Sequence, residues 1–248
     1  MQLINEYNEN LDVLIEGNDN ASVTTIIFIH GFGTDKHETA GYFDDISSAL
    51  KDKYRIVRFD FSGYGKSGGK QEEWSYAKGA RDLQSVIDWT RENYQGEIYL
   101  LAHSMGTFVT AFLSPENIGK VVLTGIPNSN AKYILERFPD RFISRPGAVL
   151  DKSGISLFPR SSGQVSRIGP NFWTVLENFD PIKAITELNK KTKLIIFKPI
   201  NDEVVGNKYM EEYKSIPNLD FVELPGDHSF KKPEERIKLI QKIKDFYK

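Results

Sequence analysis

Three side chains able to run acyl chemistry stand at the ends of apolar runs. Ser104 lies in "AHSMG", Ala102 to Gly106, after "IYLL" and before "MGTFVTAFL". A strand–serine–helix turn lifts the hydroxyl out of a sheet and aims the first free helix N–H groups at the same place. Asp202 lies in "NDEVV" after "KLIIFK", and His228 in "GDHSF" after "LDFVEL". An imidazole can take a serine proton, and a carboxylate can orient that imidazole. All three positions fall just past the carboxyl end of a strand-type run, where open α/β sheets place their sites.

A nucleophilic serine also needs donors for the oxyanion it creates. "HGFG", His30 to Gly33, follows the run "TTIIFI" and can offer the Phe32 N–H; read alone, it is a glycine-rich turn. Asp202 also reads as a loop carboxylate or a helix N-cap. Asp227 is a competing acid, poorly placed because it adjoins His228 in sequence. The chain has four histidines. His30 reads as structural, its ring bonding nearby loop backbone. His103 flanks the serine but points away across the turn, and His37 reads as solvated.

The elements that must hold these residues follow from hydrophobic pattern. "VTTIIFI" (23–29), "YRIVRFD" (54–60), "EIYLLA" (97–102), "KVVLTGI" (120–126), "KLIIFK" (193–198) and "LDFVEL" (219–224) are short continuous runs. Strands of a parallel sheet covered on both faces read this way. "QLINEY" and "LDVLIE" around "NEN" predict an N-terminal hairpin. Helical spacing appears from Tyr76 to Trp89, and Ile237, Ile240, Ile243 and Tyr247 predict a stripe on a C-terminal helix with Pro233 in its first turn. Alternating strands and helices imply a mostly parallel sheet with right-handed crossovers and helices on both faces. Residues 128–180 hold no clear strand and predict an insertion of short helices and loops within a single domain spanning 1–248.

Composition narrows the function classes. The formal net charge of -2 argues against a nucleic-acid-binding surface. There are no cysteines, which removes disulfides, thiolate nucleophiles and cysteine zinc sites. No metal-spaced His/Asp cluster or P-loop is present, so neither metal nor organic cofactor is expected. The N-terminal segment does not read as a signal peptide, and no apolar stretch reaches the roughly 20 residues that span a bilayer. A cytoplasmic protein without stable membrane insertion is expected; oligomeric state is not legible.

These motifs together resemble the α/β-hydrolase-fold serine hydrolases, over nearly the whole chain outside 128–180. The order Ser104, Asp202, His228 is the order of that fold. "FDFSGYGKSGGK" (59–70) resembles its "D-x-R-G-x-G-x-S-x-G" stretch, with Ser62 in place of arginine. The hairpin, that stretch, "IYLLAHSMG" and "DEVV" are most similar to the cinnamoyl/feruloyl esterase and monoacylglycerol-lipase-like branch. The resemblance implies Ser104 as nucleophile, His228 as base, Asp202 as acid, and the Phe32 and Met105 amides as oxyanion hole. Two positions depart from it: Ala102 replaces a glycine, and "KPIND" stands where relatives have "HG-x-x-D". The second bears on the loop that presents Asp202.

The resemblance also makes 128–180 a small cap over the nucleophile. Phe138, Phe142, Phe172 and Trp173 are its candidate lining for an apolar acyl or aryl pocket, although most such aromatics pack a cap onto its body. Arg137, Arg141, Arg145, Arg160 and Arg167 are expected mainly as solvated charges, with binding of an acidic substrate as the alternative. The leading reading is hydrolysis of small to medium carboxylic esters. A thioesterase, peptidase or acyltransferase on the same triad remains open, as does a non-catalytic binding protein on this fold.

Overall fold

Each apolar run becomes a strand, and the segments between become helices, turns and, within 128–180, a short hairpin. The structure, a computed structural model, describes residues 1–248. In chain order the elements are β1 (Gln2–Ile4), β2 (Asn10–Gly17), β3 (Thr25–Ile29), α1 (Tyr42–Leu50), β4 (Arg55–Phe59) and α2 (Tyr76–Asn93). Then come β5 (Ile98–His103), α3 (Met105–Leu113), β6 (Lys120–Thr124), α4 (Ala131–Asp140), β7 (Ser156–Pro159) and β8 (Val165–Ile168). The last are α5 (Pro170–Glu177), α6 (Pro181–Lys191), β9 (Lys193–Pro199), α7 (Glu211–Lys214), β10 (Asp220–Leu224) and α8 (Pro233–Tyr247).

Eight strands form one sheet in the order β1-β2-β4-β3-β5-β6-β9-β10. β1 and β2 run antiparallel, as the predicted hairpin requires, β2 joins β4 antiparallel, and β4, β3, β5, β6, β9 and β10 pair in parallel. The central strands read as unbroken apolar runs because alternate residues enter two separate cores. Ile27, Ile29, Leu100, Ala102, Val121 and Leu123 face one core with α2, α3, α5 and α6. Ile26, Phe28, Tyr99, Leu101 and Val122 face the other with α1 and α8. No helix is long and apolar enough to cross a membrane.

Two expectations need correction. The insertion contains a β-hairpin: β7 and β8 pair antiparallel, with Ser156 opposite Ile168. Each strand has only four residues, and serines take buried positions at Ser156 and Ser166, so apolar alternation is hidden. On α8, Ile243 and Tyr247 are buried as expected and Ile240 packs half-buried on the core, but Ile237 is 66% exposed and Leu239 and Phe246 complete the buried face. Ile237 and Leu239 both fit helical spacing, with Ile240 and Ile243 respectively, and α8's seating against α1 and the sheet turns Leu239 inward.

The insertion packs as part of the body. Phe142, Phe158, Phe172 and Trp173 are all buried and join the same core as β5 and α3. Phe142 and Phe158 stack with centroids 5.0 Å apart, and Phe138 meets the ring of Phe32 at 5.0 Å. The cap is therefore seated directly on the "HGFG" turn.

Candidate active site

The site begins with a strained turn. Ser104 sits between β5 and α3 at φ 53°, ψ -121°, a sparsely populated region for a residue with a side chain. Such a conformation costs about 1–3 kcal/mol and persists only where neighbours enforce it. Here the Ser104 amide donates to the Thr124 carbonyl at 2.9 Å, and the Thr107 amide donates to the Ser104 carbonyl at 3.0 Å. α3 also lies hard against β3: a Cβ on Gly106 would collide with the carbonyl oxygens of Ile29 and His30. Gly106 is thus required by close approach, while Ala102, fully buried in β5, is tolerated where the motif usually has glycine.

The turn places the Ser104 hydroxyl against the loop after β10. His228 Nε2 lies 2.9 Å from Ser104 Oγ. On the ring's other side, His228 Nδ1 lies 2.9 Å from Asp202 Oδ2 and 3.0 Å from Oδ1. An ionised carboxylate only accepts, so Nδ1 carries the proton and Nε2 offers its lone pair to the serine. Asp202 is also a loop carboxylate, since its Oδ1 accepts from the amides of Val204 and Val205 at 3.1 and 3.0 Å. The two sequence readings of Asp202 are therefore compatible. Burial alone would raise its carboxyl; His228 and Lys198 outweigh burial and hold it well below the usual carboxylate range.

Asp227 faces away, accepting from the Lys231 amide at 2.9 Å. His30 is fully buried and structural: the Phe61 amide donates to Nε2 at 3.0 Å, so Nδ1 bears the proton and donates to the Gly31 carbonyl at 2.8 Å. Burial pushes its basicity down. His103 packs beside the ring of His228, centroids 4.8 Å apart, but its Nδ1 pairs with Thr124 Oγ1 at 3.0 Å. Burial lowers its pKa well below the ordinary histidine value. His37 is exposed beside Asp44.

The "HGFG" turn lies against the serine. A Cβ on Gly31 would come within 3.0 Å of Ser104 Cβ. The Gly31 amide is taken by the buried Glu38 carboxylate, whose other oxygen accepts from Thr39. The amides of Phe32 and Met105 donate to no protein acceptor. Nothing in the sequence marks Glu38: a glutamate in a polar loop carries no signal that its carboxylate folds back onto a glycine seven residues earlier.

Two further groups lay outside the expectations. Lys198, on β9, is buried, and its Nζ donates to Asp202 Oδ2 at 2.8 Å. Its only sequence signal is a lysine ending an apolar run four residues before the acid. Arg141 and Arg160 line the cleft above Ser104 together with Glu203 and Lys231, contrary to the expectation of solvated charges. The candidate lining aromatics lie elsewhere. Phe142, Phe172 and Trp173 are consumed in the cap's interior, and Phe138 borders a small hollow behind Arg141. Aromatic rings in so small a cap bury one another before they reach the cleft.

Residues 24–160 match the family described as the alpha/beta hydrolase fold. Among curated proteins, a 2-hydroxy-6-oxononadienedioate/2-hydroxy-6-oxononatrienedioate hydrolase of Escherichia coli O81 is 32% identical over 105 residues. That match covers 41% of this chain and about a third (35%) of the relative's length. Among solved structures, the ferulic-acid-bound Est1E of Butyrivibrio proteoclasticus superposes with a TM-score of 0.79 at 18% identity, over 100% of this chain and 97% of that one. An esterase of Pyrococcus furiosus gives 0.74 at 19% identity, over 99% and 88% of the two chains. The enol-lactonase of Burkholderia xenovorans LB400 gives 0.74 at 14% identity, over 100% and 99%. With more than half its length matching the family, and its sheet, turn and loops arranged as described, the chain belongs to the alpha/beta hydrolase fold family.

Proposed function

We propose that this protein is a serine hydrolase that cleaves small to medium carboxylic esters through Ser104, His228 and Asp202. One observation carries the reading: an unbroken relay from Ser104 Oγ through the His228 ring to Asp202, with both links at 2.9 Å. A serine hydroxyl is inert until a base takes its proton as it attacks, and the relay supplies that base in the required tautomer.

The steps follow from the geometry. Ser104 Oγ attacks the ester carbonyl carbon while its proton passes to His228 Nε2. The carbonyl π electrons move onto oxygen, and the oxyanion lies against the free Phe32 and Met105 amides at the positive end of α3. Collapse breaks the bond to the leaving alcohol, which takes the proton from His228. Water then attacks the acyl-enzyme, giving one proton to His228. The acid leaves, and that proton returns to Ser104 Oγ. Asp202 stays ionised throughout and compensates the imidazolium at each transfer. The similarity to proteins named as esterases, an enol-lactonase and a 2-hydroxy-6-oxononadienedioate hydrolase is compatible with this acyl chemistry.

A fluorophosphonate probe tests the reading. The wild-type protein should be labelled at one serine, with labelling absent in Ser104→Ala. A folded wild-type protein that resists labelling, or equal labelling of the alanine variant, overturns it. A panel of p-nitrophenyl, aryl and glyceryl esters, with thioester and amide analogues, then sets the acyl-group class.

A further inference from the structure

Five arginines occupy the cap, and they fall into two groups. Arg137 and Arg167 are exposed and lie near carboxylates, Asp140 at 3.9 Å and Glu72 at 3.2 Å. Arg141, Arg145 and Arg160 are half-buried, and none lies within ion-pair distance of a carboxylate. Arg145 spends its guanidinium on the Pro159 carbonyl at 2.7 Å. Arg160 reaches only the Phe32 carbonyl, at 3.4 Å, and Arg141 packs against the ring of Phe142. Burial lowers the pKa of Arg141 to about 10, and Arg160 and Arg145 push it in the same direction against Asp202 and Glu203. Like charges gathered under a cap destabilise it unless an anion joins them.

Arg141 and Arg160 line the same cleft as Ser104 and His228, which has a volume of about 220 Å³. The cleft's other charges are already engaged. Lys231 lies 3.6 Å from Glu203 and 3.5 Å from Asp227, and Asp202 is paired with Lys198 and His228. Glu38 uses both oxygens on backbone amides. Two guanidiniums thus remain without an anionic partner beside the serine.

Resting on the ester-hydrolase reading, we propose that Arg141 and Arg160 form a subsite for a carboxylate carried by the substrate, so that the natural ester bears a free acid group. A guanidinium presents a planar fork that matches a carboxylate two bonds at a time. The nearby Glu38 and Glu203 disfavour a doubly charged group. A cleft of this size suits a short acid, with the ester carbonyl at Ser104 and the carboxylate against the cap.

The test pairs each charged substrate with its neutral methyl ester. One pair carries the acid on the acyl side, p-nitrophenyl hydrogen glutarate against p-nitrophenyl methyl glutarate. The other carries it on the alcohol side, 4-carboxyphenyl butyrate against its methyl ester. The wild-type enzyme should favour the acid in at least one pair by roughly 10- to 100-fold in kcat/KM, the range of one charge-assisted hydrogen bond. That ratio should collapse toward one in Arg141→Gln and Arg160→Gln and be partly kept in the lysine variants. Arg167→Gln, outside the cleft, should leave it unchanged. Equal or preferred turnover of the neutral partner in both pairs overturns the subsite, as does a preference that survives both glutamine variants. If no ester is turned over but the fluorophosphonate still labels Ser104, the ester reading fails. Glutarate should then still slow labelling in the wild type and not in Arg141→Gln; absence of that protection overturns the subsite on its own.

Discussion

Lys198 Nζ lies 2.8 Å from Asp202 Oδ2, and both side chains are almost wholly removed from solvent. The carboxylate that faces His228 is therefore shared with a buried ammonium. Burial holds that ammonium below its ordinary pKa, and the charge of Asp202 works against the effect. The lysine opens the "KPIND" stretch that leads to Asp202.

Removing one partner of a buried pair strands the other charge and costs about 3–5 kcal/mol. Lys198→Met is expected to lower stability by that order, read by chemical denaturation at pH 7. His228 remains beside Asp202 and offsets part of the loss. A destabilisation under about 1 kcal/mol would show that the pair is energetically neutral.

Two buried carboxyls, Asp82 and Asp202, shift in opposite directions. Asp82 accepts from the Ser62 amide at 2.9 Å, the Ser62 hydroxyl at 2.8 Å and Asn5 Nδ2 at 2.7 Å. Burial nevertheless raises it to about 6, with those donors and Lys78 partly offsetting. Between its unfolded value and about 6 the folded state keeps a proton that the unfolded chain has lost. Its contribution therefore falls as pH rises through that window, by about 3 kcal/mol. His30 and His103, lowered by burial, slope the other way. The difference in stability between wild type and Asp82→Asn, measured from pH 4 to 7, isolates the carboxyl and should change in the stated direction. Asp202, lowered instead, contributes stability that is present above its unfolded value and lost only in stronger acid.

On the proposed mechanism, losses of Ser104, His228 and Asp202 should not be additive. Ser104→Ala and His228→Ala should each lower kcat by on the order of 10⁶, and Asp202→Asn by about 10⁴. The double variant Ser104→Ala/His228→Ala should be no slower than either single one. Steady-state rates on an activated ester, with circular dichroism to confirm folding, check this.

Phe158 is completely buried, between Phe142 at 5.0 Å and Trp173 at 6.2 Å. Phe158→Ala should cost about 3–5 kcal/mol through lost contacts and a cavity. Because cap and body share one core, thermal unfolding should stay a single transition. A separate early transition for the variant would mean that the cap unfolds alone.

The sequence by itself determined the parallel sheet and the three residues that meet at the carboxyl ends of its strands. Each strand declares itself by a run of neighbours, and Ser104, Asp202 and His228 stand just past such runs; topology then places all three at one end of the sheet. Local pattern could not reach further. β7 and β8 are too short and too polar at their buried positions to show a period, and at the start of α8 Ile237 and Leu239 fit the apolar face equally well. Lys198 is only the last letter of an apolar run until β9 is enclosed between β6 and β10. Arg141 and Arg160 read as solvated until α4 and the end of β7 fold over Ser104. In each case the deciding quantity is which groups from distant segments share a desolvated space, and only the tertiary structure contains it.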